Sequence, residues 1–97
     1  MAALPSEYRI FETDGFTRDL ERDFSGFREK IKKKLQNFVY HQLRKQPHFG
    51  KNIKKLSDYK PDTWRYRIGD FRFFYSVDER QKIVFMLAAD NRRDAYK

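Results

Sequence analysis

Cysteine is absent from this chain and histidine is scarce, which excludes several kinds of site. Among the 97 residues there is no cysteine, and the two histidines are His41 and His48. Disulfide stapling and any thiol-based metal or redox site are therefore ruled out. Two histidines leave little for a transition-metal site. We expect a fold that is held together by its apolar core and that carries no cofactor.

Long apolar runs are also missing. No stretch approaches the about 18 apolar residues that a membrane-spanning helix requires, and residues 1–8 lack the basic start and apolar run of a secretory signal. We therefore expect a cytoplasmic protein with no membrane partner. The length predicts a single domain, residues 1–97, in which residues 1–6 form a loose N-terminal tail.

Acidic residues are few relative to basic ones. Lysine and arginine total 22 against 14 aspartates and glutamates, which gives a net charge of +8, and 18% of the residues are aromatic. A positive excess attracts polyanions and aromatic rings stack on bases, so this composition favours a nucleic-acid binder. The alternative is a well-solvated surface, or a face that meets an acidic protein.

The first third of the chain predicts a strand and a helix. Residues 8–13 read as a short strand. Thr13 or Asp14 can then N-cap a helix, because either side-chain oxygen can accept a hydrogen bond from a free backbone N–H. This first helix would carry Phe16 and Leu20 inward.

A second helix is predicted after Ser25-Gly26, and Pro47 and Gly50 end it. Its apolar side chains recur at spacings of three and four residues, which is the helical period. The stripe consists of Phe27, Ile31, Leu35, Phe38, Gln42 and Leu43. We expect the two helices to form an antiparallel pair that lies on a sheet.

After a polar connection, residues 51–61, the period of the sequence changes to two. The segments on either side of Gly69-Asp70 alternate as strands, and this dipeptide is typical of a two-residue hairpin turn. Residues 82–89 form a third strand that is apolar on both faces and therefore central, followed by a short basic ending, residues 90–97. The order β-α-α-β-β-β predicts an α+β domain, with a two-helix hairpin packed on one face of a mostly antiparallel sheet.

The predicted hairpin places basic side chains together on the face away from the core. If Gly69-Asp70 is the whole loop, Arg67 lies opposite Arg72, with their Cβ atoms about 5 Å apart. Two guanidiniums at that distance repel each other, and an anion held between them would account for the pairing, since each presents a fork of donors suited to phosphate. A third arginine, Arg65, and the ring of Phe74, on which a base could stack, lie beside them.

This arginine-bearing side of the hairpin need not bind an anion. It could be a solvent-exposed surface on which salt screens the repulsion between arginines. It could also be a surface on which nearby carboxylates, such as Asp90 or Asp94, neutralise the guanidiniums. The sequence leaves both possibilities open.

Further basic residues could extend the site. Arg92 and Arg93 follow the last strand, and Tyr96 lies one helical turn beyond Arg92. Lys54 and Lys55 could contact phosphates along a strand of RNA. A frayed basic terminus and a solvated charge pair are the respective alternatives.

Several motifs together resemble the RelE/ParE toxin superfamily. The run WRYRIGDFRFFY, residues 64–75, is similar to the signature of that superfamily, as is the upstream spacing of Pro47, Gly50 and residues 54–56. The ending NRRDAY, residues 91–96, resembles the closing arginine pair and tyrosine of these toxins. With the β-α-α-β-β-β order, the resemblance covers nearly the whole chain from residue 8.

The resemblance implies a toxin of the RelE type from a bacterial or archaeal toxin–antitoxin pair. Such a toxin enters the ribosomal A site and cuts mRNA as a metal-independent endoribonuclease. The 2′-hydroxyl attacks the adjacent phosphodiester and leaves a 2′,3′-cyclic phosphate and a 5′-hydroxyl end. The implied partner is a RelB-like antitoxin whose acidic, extended segment covers the basic face. The toxin alone would be a monomer and would form a hetero-oligomer with the antitoxin.

The resemblance also assigns roles by position. The implied catalytic residues are Arg65, Arg67, Arg72, Arg92 (or Arg93 in its place) and Tyr96, and the implied RNA-binding residues are Lys54, Lys55, Phe74 and Arg93. Some members carry lysine where this chain has Arg65 and Arg67. Because arginine cannot lose its proton in a protein, it cannot serve as the general base. The base is open among the ribosome, a water, Tyr96 and a nearby lysine.

Two other functions fit the same sequence. A ParE-like toxin that inhibits DNA gyrase shares the fold and needs no RNA chemistry. A non-catalytic basic module that binds nucleic acid or an acidic peptide would show salt-dependent binding without toxicity.

Overall fold

A five-stranded sheet with helices on one face makes up the described part of the chain, residues 7–24, 26 and 28–91 of a computed structural model. Its elements are β1 (Arg9–Glu12), α1 (Asp14–Asp23), α2 (Arg28–Lys34), a π-helical segment (Leu35–Val39), α3 (Tyr40–Lys45), β2 (Ile53–Leu56), β3 (Thr63–Ile68), β4 (Phe71–Asp78) and β5 (Ile83–Asn91). The strand order is β1-β5-β4-β3-β2, with β1 parallel to β5 and the other pairs antiparallel. This confirms the α+β class. None of its helices is long and apolar enough to cross a membrane.

The segment predicted as a polar connection contains an additional strand. Residues Ile53–Leu56 form β2, which pairs antiparallel with β3 at the edge of the sheet. The prediction missed it because Ile53 and Leu56 are three residues apart with two exposed lysines between them, so the segment lacks the apolar alternation of a strand. Exposed lysines are common on edge strands, where they discourage pairing with another chain.

Thr13 connects the start of α1 to β5. Its Oγ1 accepts a hydrogen bond from the Phe16 backbone N–H at 3.2 Å, and its hydroxyl donates to the Met86 carbonyl at 2.8 Å. The cap is thus Thr13 rather than Asp14. Phe16 and Leu20 are buried, as the sequence predicts.

The second predicted helix runs through α2, the π-helical segment and α3 in direct succession, residues 28–45. In its middle, the Tyr40 N–H donates to the Leu35 carbonyl, the i→i+5 bond of a π turn. The wider turn changes which residues point inward. Val39 is fully buried, whereas Phe38, predicted to lie in the core, is 60% exposed. Phe27, also in the predicted stripe, lies outside the described residues.

The hairpin between β3 and β4 has the predicted register. Ile68 pairs with Phe71 and Arg67 pairs with Arg72 across the two-residue loop. Gly69 has a φ of +58°, as the first position of a type II′ turn requires, and this conformation favours glycine. Sequence reasoning therefore placed the side chains of residues 64–68 and 71–75 on the correct faces.

A β-bulge interrupts the pairing of β4 with β5. Phe74 pairs with Ala88 but the next residue, Tyr75, pairs with Met86, so Leu87 is the extra residue. The predicted interior position of this strand is confirmed, since β5 lies between β1 and β4. Its predicted end is wrong by two residues, because β5 continues to Asn91 instead of stopping at residue 89.

The bulge reverses the inward and outward alternation along β5. Before it, Val84 and Met86 are buried against the helices, and after it Ala89 and Asn91 are. Asp90 therefore points to the opposite face of the sheet, beside Arg72.

Replacing Thr13 by alanine is expected to lower the free energy of unfolding by about 1–2 kcal/mol, because it removes the helix cap and the bond to the Met86 carbonyl beside the bulge. Thr17→Ala is the matched control, since its exposed hydroxyl bonds only the Asp14 carbonyl within α1. Urea unfolding of both variants checks this expectation. Equal losses for both variants would contradict the special role of Thr13.

Candidate functional site

The face of the sheet opposite the helices carries four of the predicted basic residues in two rows across the strands. Arg67, Arg72 and Asp90 lie side by side on β3, β4 and β5. In the next row, towards the middle of the strands, the cross-strand neighbours are Lys54, Arg65, Phe74 and Ala88 on β2, β3, β4 and β5. We call the group Lys54, Arg65, Arg67, Arg72 and Phe74 the arginine face.

Arg72 is paired with a carboxylate. Its Nε and Nη2 donate to the two carboxylate oxygens of Asp90 at 2.8 and 2.7 Å, and its guanidinium lies 5.8 Å from the Phe74 ring centroid. The two side chains are about one-third exposed, 31% and 32%. Asp90 therefore neutralises the guanidinium of Arg72, which is one of the possibilities that the sequence left open.

Arg65 and Arg67 have no such partner in the part of the chain that the structure describes. Within residues 7–24, 26 and 28–91, neither forms an ion pair with a carboxylate. Arg67 is exposed, and its Nε donates only to the Gly69 carbonyl at 3.3 Å. The Nε of Arg65 is buried and has no hydrogen-bond partner. A buried donor without a partner costs stability, so its presence on a basic face is typical of a site that binds an anion.

A polar network behind β3 holds this strand in place. The Tyr66 hydroxyl donates to Gln42 Oε1 on α3 at 2.7 Å and accepts from Asn52 Nδ2 at 3.3 Å. The Arg67 backbone N–H donates to the Asn52 carbonyl at 3.0 Å. Because Tyr66 lies between Arg65 and Arg67 and is itself buried, this network fixes the backbone from which both arginines project.

The two lysines of β2 diverge. Lys54 is opposite Arg65 and joins the arginine face. Lys55 is opposite Trp64, so it belongs to the other face, where its Nζ lies 3.3 Å from Asp62 and 5.8 Å from the Trp64 ring centroid. Because the two lysine side chains lie on opposite faces of the sheet, we expect only Lys54 to share an RNA contact with the arginine face.

Three of the residues assigned by resemblance fall outside the part of the chain that the structure describes. They are Arg92, Arg93 and Tyr96, and their roles stay predictions. Within the described ranges, no group of three or more His, Cys, Asp or Glu residues could hold a metal ion.

A second polar cluster, which the sequence did not indicate, lies at the other end of β4. Glu79 in the β4–β5 turn accepts a hydrogen bond from the Tyr8 hydroxyl at 2.7 Å and pairs with His48 Nε2. The Lys82 ammonium lies 4.6 Å from the Tyr8 ring centroid. These contacts join residues up to 74 positions apart, which is why no local motif reveals them.

The cluster shifts two pKa values in opposite directions. Burial and the hydrogen bond to Glu79 raise the pKa of Tyr8. For Glu79, burial acts to raise the pKa, but the hydrogen bond from Tyr8 and the charge of His48 outweigh it, so the net shift is downward. The cluster ties β1 and the loop after α3 to the β4–β5 turn and lies away from the arginine face.

Glu79→Gln is expected to destabilise the protein at pH 7 but not in acid. Because folding lowers the pKa of Glu79, its contribution is present above the ordinary carboxylate pKa and is lost as the pH falls through the folded value. The side chain is 53% exposed, so the loss at pH 7 should stay below about 1 kcal/mol. Urea unfolding at pH 7 and about pH 3, with Glu21→Gln as a control, measures this. A loss that persists in acid would contradict it.

A match to a toxin family model places this α+β fold, with its basic face, in the RelE/ParE toxin superfamily. The chain belongs to the ParE toxin family of type II toxin–antitoxin systems, since the model of the ParE toxin of the parDE type matches residues 10–96. This confirms the resemblance that the sequence suggested. No curated protein matches the chain significantly.

Solved structures of RelE proteins share the fold. A chain of the RelBE2 toxin–antitoxin complex from Mycobacterium tuberculosis matches with a TM-score of 0.68 and 24% identity, over 89% of this chain and 99% of that one. A mutant of Escherichia coli RelE in the free state matches with a TM-score of 0.62 and 21% identity, over 93% and 88%. A chain of the RelE–RelB complex from Pyrococcus horikoshii gives 0.59 and 22%, over 89% and 96%.

Proposed function

We propose that this type II toxin is a ribosome-dependent endoribonuclease that cleaves mRNA in the cytoplasm without a metal ion. The observation that carries the proposal is the arginine face, on which Arg65 and Arg67 have no carboxylate partner among the described residues and Lys54 adds a further cation. Three cations on neighbouring strands suit a phosphodiester, because guanidinium donors match phosphate oxygens.

The reaction needs charge stabilisation more than it needs an activated side chain. The 2′-oxygen of the RNA attacks the adjacent phosphorus, and the bond from phosphorus to the 5′-oxygen breaks. The 2′-hydroxyl loses its proton and the leaving 5′-oxygen gains one, so the net number of protons does not change. Negative charge builds up on the phosphoryl oxygens in the transition state, and fixed guanidiniums aimed at those oxygens lower the barrier. The Tyr66 network keeps the strand that carries Arg65 and Arg67 from moving.

Arg72 has a different role from the other two arginines in this proposal. Asp90 engages its Nε and Nη2, so its fork is directed along the sheet and not at a phosphate. Arg72 then neutralises Asp90 and joins β4 to β5, while Arg65 and Arg67 contact the RNA.

The proposed partner is a RelB-like antitoxin with an acidic extended segment. The chain's net charge of +8 and its exposed cations favour such a segment, which can order itself on binding. RelB accompanies RelE in the matched complexes. We propose that the segment covers the arginine face, that the free toxin is a monomer, and that the inactive form is a hetero-oligomer.

Inhibition of DNA gyrase is the second candidate function, and the match to the ParE family model favours it. Induced expression of the toxin distinguishes the two candidates. The endoribonuclease produces mRNA ends in phase with codons within minutes, whereas a gyrase inhibitor produces DNA damage and filamentation with intact mRNA.

A chemical test follows from the role of the 2′-hydroxyl. A programmed ribosome with mRNA that has a 2′-deoxyribose on the 5′ side of the scissile phosphate should not be cut, while the same mRNA with ribose should. Cleavage of the deoxy message, or no cleavage of either, would exclude the proposed reaction.

A further inference from the structure

Aromatic rings continue from the arginine face towards the β1 edge of the sheet. Phe74 belongs to the arginine face, and Phe85 on β5 is opposite Ser76, two residues further along β4. Phe11 on β1 is opposite Phe85, and their ring centroids are 5.7 Å apart. We call Phe74, Phe85 and Phe11 the aromatic stripe.

The aromatic stripe is not part of the core. The rings lie on the side of the sheet opposite the described helices, since the intervening Val84 and Met86 point to those helices and are fully buried. Phe11 is 54% exposed although it lies in a strand. Phe11 and Phe85 are in contact and Phe74 lies on the same face, and exposed or half-buried rings grouped on one face, instead of being scattered, mark a binding surface.

Cations lie at both ends of the aromatic stripe, and two nearby carboxylates, Glu12 and Asp78, have hydrogen-bond partners of their own. Arg65 flanks Phe74 at one end, and the exposed Arg9 lies two residues from Phe11 at the other. Glu12 accepts a hydrogen bond from Tyr40 on the helix side of the sheet. Asp78 accepts from the N–H groups of its own turn.

We infer that the aromatic stripe is a stacking subsite for the nucleotides of single-stranded RNA next to the phosphate on the arginine face. A polymer with flat apolar bases and a regular anionic backbone matches rings that lie between cations, and stacking on sheet-borne aromatics is a common way to bind single-stranded RNA. An acidic peptide would use the cations but would gain nothing specific from rings. This inference deepens the proposed function and rests on it.

The test measures RNA binding separately from cleavage. The probe is a fluorescein-labelled oligoadenylate of about eight nucleotides with 2′-O-methyl riboses, which cannot be cut. Fluorescence anisotropy at low salt gives its affinity for the full chain. Phe11→Ala and Phe85→Ala should each weaken binding by about fivefold or more. Phe38→Ala removes an equally exposed ring from the helical side and should leave binding within about twofold.

Two further variants keep the test decisive if an alanine variant folds poorly. Phe11→Trp retains a stacking ring and should bind at least as tightly as the natural chain. Phe11→Leu retains apolar contact without the ring and should bind about as weakly as Phe11→Ala. Equal binding by the Trp and Leu variants would overturn the stacking subsite, as would failure of the natural chain to bind the probe.

The remaining outcomes distinguish the stacking subsite from an antitoxin-binding surface and from the endoribonuclease proposal. If Phe11→Ala weakens a complex with the cognate antitoxin but not RNA binding, the aromatic stripe belongs to the antitoxin and the inference is wrong. If RNA binding depends on Phe11 while ribosomes never show mRNA cleavage, the subsite stands and the endoribonuclease proposal fails. If ribosomes show mRNA cleavage but RNA binding does not depend on Phe11, the endoribonuclease proposal stands and the stacking subsite is wrong.

Discussion

Arg67→Ala is expected to abolish growth arrest and to reduce cleavage of mRNA on programmed ribosomes by about 10²–10³-fold, the usual effect of losing one donor that stabilises transition-state charge. The fold should survive, since Arg67 is exposed and its side chain donates only to the Gly69 carbonyl. The change in unfolding free energy should therefore stay within about 0.5 kcal/mol. Quantified mRNA ends and urea unfolding measure the two effects.

The control for this prediction removes the same charge elsewhere. Arg80 is exposed in the β4–β5 turn, at the far end of β4, and Arg80→Ala should leave cleavage close to that of the natural chain.

Arg67→Lys preserves the charge without the fork of donors and should recover only part of the activity. Arg65→Met should lose activity without losing stability, because it removes a buried donor that has no partner. Undiminished cleavage by Arg67→Ala would remove the arginine face from the mechanism.

Arg72→Ala is expected to harm RNA binding more than the double change Arg72→Ala with Asp90→Ala. The single change leaves the Asp90 carboxylate unpaired on the face that binds phosphate, where it repels the RNA. We expect roughly a tenfold loss of affinity for the 2′-O-methyl oligoadenylate, of which the second substitution restores a part. Anisotropy titrations of both variants and of Asp90→Ala alone complete a double-mutant cycle.

The same cycle reports on stability. The bidentate pair joins β4 to β5 and is about one-third exposed, so its removal should cost about 1–2 kcal/mol. Single and double variants should lose similar amounts, because either change breaks the pair. If the double variant binds RNA no better than Arg72→Ala, then Asp90 does not oppose the phosphate and Arg72 contacts it directly.

Local chemistry made the hairpin predictable. The alternation of Trp64 and Tyr66 with arginines has the period of a strand, and Gly69 supplies the positive φ of a two-residue turn. Once the turn length is known, the register is known, and the pairing of Arg67 with Arg72 follows without any tertiary information. The N-cap of α1 was predictable to within one residue for the same reason.

Parts of the site depend on contacts that no local pattern encodes. Next to the bulge at Leu87, the Thr13 hydroxyl donates a hydrogen bond to the Met86 carbonyl. Beyond the bulge, the Ala89 N–H donates to the Asp19 carboxylate at 3.1 Å. These partners are 70 or more positions away in the chain. Because the bulge determines which way Asp90 points, the neutralisation of Arg72 could be named only as one alternative from the sequence.

By itself the sequence determined the superfamily, the α+β class, and a hairpin whose outward side carries arginines, because strand period and turn residues act over a few positions. Only the tertiary structure decided which of those arginines have partners. It also decided that Phe38 is exposed, and that Phe11 and Phe85 extend the surface. The physical reason is the same in each case: a π turn, a bulge or a strand pairing changes the direction of side chains by one residue, and distant parts of the chain determine whether it forms.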